Sequence, residues 1–134
     1  MRTIVNCLSC LGLLATGLAS SPATASPVTA QERLDTTLSD YSAGKPQSCI
    51  SQYAIESVDV FKGIGLLYRM TGNRYYLNKP TSGANALDDG DVLVTDSWSS
   101  QLCSIDTVRL WDPLSRMTTG FVNLGPFIPY TKNN

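Results

Sequence analysis

From residue 50 onward, apolar side chains recur mostly at every second position, in short runs broken by Gly, Pro, Asn and Asp. That period of two is the mark of strands covered on one face. In the segment 50–61, Val58 and Val60 alternate with Asp59 and Phe61, so it reads as one bent strand or two short ones. After Lys62-Gly63, the residues Ile64, Leu66, Tyr68 and Met70 share one face and Leu67 takes the other. Thr71-Gly72-Asn73 turns the chain into Arg74 to Leu77, where adjacent Tyr75 and Tyr76 must point to opposite faces. A three-stranded meander is the expected result. Val92-Leu93-Val94 suits a buried strand, and Gly120 to Gly125 suits another.

Gln101 to Asp112 joins a cysteine to the best strand candidate, with Val108 and Leu110 alternating with Thr107, Arg109 and Trp111. As one unbroken strand it would need cover on both faces, so a bulge is expected near Ile105 or Asp106. Pro126 and Pro129 flank Phe127-Ile128. A proline cannot donate to a central ladder, so this last segment is expected to be an edge strand or a strap. The period changes only in Gln31 to Ala43, where Leu34, Leu38 and Tyr41 recur at helical spacing. This predicts a short amphipathic helix that Gly44 would end, lying as a lid on the sheet. The expected fold is mainly β: a small single-domain antiparallel barrel or sandwich with one short N-terminal helix and one disulfide.

Composition then separates the N-terminus from this domain. Arg2 precedes an apolar run from Leu8 to Leu18, and Ala23-Thr24-Ala25 supplies a small-x-small cleavage pattern. The expected organisation is a signal peptide over 1–25, a flexible linker over 26–30 and one β-rich domain over 31–134. Gly17-Leu18-Ala19 is the second choice of cleavage site, and an uncleaved membrane anchor is the alternative for the segment. Cleavage would remove Cys7 and Cys10, leaving Cys49 and Cys103 to pair in an oxidising compartment, periplasmic or extracellular. No membrane span is expected in the mature chain.

With ten basic and eleven acidic residues and no basic cluster, nucleic acid is an unsuitable partner. There is no histidine, which excludes Ser-His-Asp and Cys-His catalysis and His-ligated zinc. No serine sits in a G-x-S-x-G elbow or an S-x-x-K pair. The sequence therefore assigns no catalytic residue, cofactor or metal ligand. Asp88-Asp89-Gly90-Asp91 lacks the spacing and terminal glutamate of an EF-hand and reads as a turn, with a weak cation site as the alternative. Asp59, Asp96, Asp106 and Asp112 are the candidates for an acid/base pair, although Asp106 and Asp112 bracket a strand as turn acceptors do. Arg69 and Arg74 flank a turn and suit cross-hairpin ion pairs. Most aromatics should be core. Trp98, among Asp96, Ser97, Ser99 and Ser100, has no apolar neighbour and is the candidate binding surface. The loop Asn78 to Gly90 is long enough to be functional.

The segments Cys49 to Ser57, Gln101 to Leu110 and Gly120 to Tyr130 together resemble a group of small secreted bacterial proteins of no known activity. The resemblance implies export and a disulfide between Cys49 and Cys103, and it carries over no activity, cofactor or site residue. The expected function is that of an exported non-catalytic domain that binds or stabilises an envelope component, a protein or a glycan. The alternatives are a carboxylate-dependent hydrolase and an inhibitor presenting the Asn78 to Gly90 loop.

Overall fold

The computed structural model describes residues 26–96 and 99–134. One helix and ten strands form three antiparallel sheets: α1 (Ala30–Thr37), β1 (Tyr41–Ala43), β2 (Cys49–Ser51), β3 (Ile55–Phe61), β4 (Gly65–Met70), β5 (Arg74–Asn78), β6 (Val92–Thr95), β7 (Gln101–Cys103), β8 (Thr107–Asp112), β9 (Met117–Asn123) and β10 (Phe127–Lys132). The large sheet runs β1-β10-β5-β4-β3, the second β6-β8-β9, and β2 pairs only with β7. The sheets do not close on themselves, so of barrel and sandwich the sandwich is the one formed.

The period-two pattern sorts side chains between two cores. Leu66, Tyr68, Met70 and Tyr76 of the large sheet meet Val108, Leu110, Val122 and Leu124 across the sandwich, with Phe127 fully buried among them. On the opposite face of that sheet Leu67, Leu77 and Phe61 pack on Leu34 of α1. The expected meander β3-β4-β5 forms, and Tyr75 and Tyr76 face opposite ways. Burying residues of this size contributes about 1.5–3 kcal/mol each.

The helix is shorter than its apolar spacing suggests. It starts at the Thr29 cap, whose hydroxyl accepts from the Glu32 N–H. It stops at Thr37, because Thr36 and Thr37 are β-branched and turn their hydroxyls back to the carbonyls of Glu32 and Arg33. Tyr41 is therefore a strand residue packed edge-on to Tyr75, and Gly44 does not end the helix.

Two further expectations are corrected. Gln101 to Asp112 is not one strand: β7 ends at Cys103, a turn follows, and β8 enters a different sheet. The cover needed on two faces is met by changing sheet, and the bulge lies at Leu110/Trp111. The second correction concerns β10, which is neither an edge nor a strap but an interior strand between β1 and β5. Pro129 is tolerated because its carbonyl, and hence its missing N–H, faces Gly44, just beyond the three-residue β1.

Candidate functional site

Cys49 and Cys103 are bonded, directly opposite each other in the β2–β7 pair with Cα atoms 4.0 Å apart. The bond fixes the small third sheet, from which Ile50 and Leu102 point into the main core. It is structural in position and leaves neither thiol free for chemistry.

Of the candidate acids, Asp106 and Asp112 are turn acceptors and Asp96 is an ion-pair partner. Asp106 accepts from the Cys103 N–H at 2.7 Å and closes the turn between β7 and β8. Asp112 accepts from the N–H groups of Leu114 and Ser115 at 2.9 and 3.2 Å. Hydrogen bonds from Ser115, and then from the Leu114 N–H, hold the Asp112 carboxyl below its ordinary range. Asp96 lies 3.9 Å from Arg109, and Asp59 is carried on edge strand β3. In the acidic run, Asp91 accepts from the Asp88 N–H, Asp88 pairs with Lys62 at 3.0 Å, and Asp89 pairs with Arg33 at 2.7 Å.

Asp88, Asp91 and Asp112 nevertheless line one depression of about 250 Å³, with Leu114 and Thr119. An acid/base pair could sit here, or in a more open depression of about 540 Å³ beside α1 that Glu32 and Asp59 line. Such a pair needs its two pKa values driven apart, one of them upward. Here both resolved values go down: the Lys62 hydrogen bond and charge lower Asp88, and turn hydrogen bonds lower Asp112. Among the described residues, no three acidic or cysteine side chains are gathered in a cage that could hold a metal ion.

The arginines behave differently from each other. Arg69 pairs with Glu56 of β3 at 3.3 Å, across the β3–β4 hairpin. Arg74, on β5, lines a separate depression of about 210 Å³ beside Gln47 and Cys49. The Asn78 to Gly90 loop is anchored: Leu87 is buried in the main core, Ser82 bridges to Asn123, and the turn at Ala84–Ala86 packs on β9. Trp98, together with Ser97, lies outside the described residues.

Sequence reading missed a surface. In register on the solvent face of β6-β8-β9 stand Val92 and Val94, then Arg109 and Trp111, then Phe121. Val92 is 45% exposed and Phe121 60%, whereas exposed Met117, opposite Asp112 at the end of the sheet, and Leu114 in the β8–β9 turn lie outside this row. The Nε of Arg109 is buried and has no hydrogen-bond partner among the described residues. The signal was present as Val92/Val94 and Phe121 alternating with core residues. It became legible only once the register showed which side of each strand lacks cover.

No protein-family model, curated protein or solved structure matches the chain.

Proposed function

We propose that this is an exported, non-catalytic domain that binds or stabilises an envelope component. The observation that carries the reading is the solvent face of β6-β8-β9, where Val92 and Phe121 stand exposed beside half-buried Val94 and Trp111. Scattered apolar residues on a surface need no explanation, but several on one flat sheet face mark an interaction site. The internal disulfide and the apolar run before Ala23-Thr24-Ala25 support export. No described helix is long and apolar enough to cross a membrane. Anchoring of the Asn78 to Gly90 segment through Leu87 is a poor basis for a loop-presenting inhibitor.

The test is crosslinking of the tagged protein in its native envelope, compared with Phe121→Asp. The variant should keep its melting temperature and lose the crosslinked species. Retention of the same species in Phe121→Asp would remove the face from the reading. The carboxylate-hydrolase reading has in its favour the placing of Asp88, Asp91 and Asp112 around one depression. It requires an envelope substrate to be hydrolysed by the purified protein and the activity to vanish in Asp112→Asn.

A further inference from the structure

The free edges of the sheets are not alike. Edge strands carry unpaired backbone groups and are normally guarded by charge, proline, a bulge, short length or cover. In the large sheet, β1 has three residues, and β3 carries Glu56, Asp59 and a bulge between Ile55 and Ser57. In the second sheet, β9 is covered along its outer side by Thr81, Ser82 and the Ala84–Ala86 turn. Strand β6, four residues between Asp91 and Asp96, carries no charge, proline or bulge within it, and no described residue is paired along its outer side. Its sequence is Val-Leu-Val-Thr, it pairs with β8 alone, and its other edge meets no strand among the described residues.

Beside that edge, a cleft of about 300 Å³ opens between the two sheets of the sandwich. Ile55, Val58, Leu93 and Leu102 line it together with the uncharged polar residues Gln52, Tyr68 and Thr95. Tyr68, 2% exposed, is the most deeply buried of the three polar residues in the cleft.

From the bare edge and the uncharged cleft together we infer that β6 receives an extended segment of a partner polypeptide by strand addition. Alternate aliphatic side chains of that segment enter the cleft, and a hydroxyl or amide among them reaches Tyr68. The row of N–H and C=O groups on β6 asks for another backbone, which a lipid or glycan lacks. A second copy pairing β6 to β6 would satisfy the row but leave the cleft empty, because Leu93 and Thr95 of each copy already face their own core. An acidic or basic insert would lose hydration with no charge to meet it. The inference rests on the proposed binding function and names a particular edge for it.

The experiment uses the full exported protein, oxidised, panned against a displayed library of random nine-residue peptides. Enriched peptides should be uncharged at alternating positions. As synthetic peptides they should slow hydrogen exchange at least tenfold at two amides between Val92 and Thr95. Val92→Lys and Thr95→Lys, each confirmed folded by its melting temperature, should weaken binding at least tenfold, whereas Phe121→Asp should not. The inference is overturned if no sequence is enriched, if enriched peptides still bind both lysine variants, or if protection falls elsewhere. It is also overturned if the protein alone dimerises and the lysine variants are monomers, since the occupant is then a second copy. Envelope crosslinking through Phe121 that persists when the peptide experiment fails would leave the proposed function standing without this edge. Failure of both removes the function as well.

Discussion

Asn78 is the buried polar residue of the sandwich, and replacing it tests how the sheets are joined. Its Nδ2 donates to the Gly125 carbonyl at 2.6 Å, and its Oδ1 accepts from the Gly125 N–H at 3.0 Å. The side chain thus acts as one rung of backbone between β5 and the turn leading to β10. A Cβ on Gly125 would collide with the Lys79 carbonyl, and one on Gly65 with the Asn78 carbonyl, so neither backbone can retreat to admit water easily. In Asn78→Ala the Gly125 N–H and C=O remain buried and unpaired, at about 1–3 kcal/mol each, so the expected loss is about 2–6 kcal/mol. Against a total of about 5–15 kcal/mol this is a large share. Urea unfolding at pH 7 should show the midpoint fall with its slope unchanged, and the melting temperature should drop by roughly 10 °C or more. Asn78→Asp is the sharper test: an ionised carboxylate keeps the acceptor but turns an oxygen toward the Gly125 carbonyl. Burial and that contact favour the neutral form, so the introduced carboxyl has a raised folded pKa. The variant should recover toward wild type as pH falls, when the protonated acid can donate. A loss below about 1 kcal/mol for Asn78→Ala, or the same pH profile for Asn78→Asp as for wild type, would refute the account.

Reduction of the disulfide, or Cys103→Ser, should lower stability by about 4 kcal/mol, the chain-entropy value for a loop closed over 54 residues; chemical unfolding with and without reductant measures it, and an unchanged midpoint contradicts it. Burial pushes the Tyr68 phenol well above its ordinary pKa, so the neutral form stabilises the fold fully below about pH 10, and that contribution is lost as pH rises further. Tyr68→Phe should flatten this alkaline loss, since phenylalanine has nothing to ionise; an alkaline profile that overlays wild type would count against it. The depressed carboxyls of Asp88 and Asp112 contribute above the ordinary carboxylate range and lose that contribution as pH falls below about 4. Asp112→Asn should therefore reduce the acid sensitivity of unfolding, and an unaltered acid limb would show that the turn bonds count for nothing. Intact mass of the exported protein should correspond to residues 26–134; a mass retaining Leu8 to Leu18 would mean a membrane anchor.

The fold class was readable because strand alternation reports burial directly, as in Leu66-Leu67-Tyr68, where both faces of β4 are covered. The cysteine pair was readable because removal of a signal over 1–25 would leave only Cys49 and Cys103. Partnering was not. Nothing in Cys103 to Asp106 says that the chain leaves one sheet for another, since that depends on β2 claiming β7 from 54 residues away. The helix end was hidden by a continuing apolar spacing that Thr36 and Thr37 interrupt through their hydroxyls. Leu87, fully buried in a segment of loop composition, shows the same limit: a single apolar residue has no period. The exposed face of β6-β8-β9 could not be found from alternation alone, because a strand with apolar residues on both sides looks alike whether or not its second side is covered.

The interior position of β10 also sets an order of events. Sheet pairing on both of its sides, the Tyr41–Lys132 and Tyr75–Tyr130 registers included, waits for the last strand to arrive. A chain delivered N-terminus first can build the β3-β4-β5 meander as those residues emerge, and it can bring Cys49 to Cys103 soon afterwards. It cannot seat β1, or fill the centre of the core, until Phe127 follows. Until then one side of β5 is an open template beside an incomplete core, the state in which a small β protein most readily pairs with the wrong chain. Early closure of the disulfide shortens the search for the remaining contacts, so it serves the yield of correctly folded protein as well as the stability of the finished molecule.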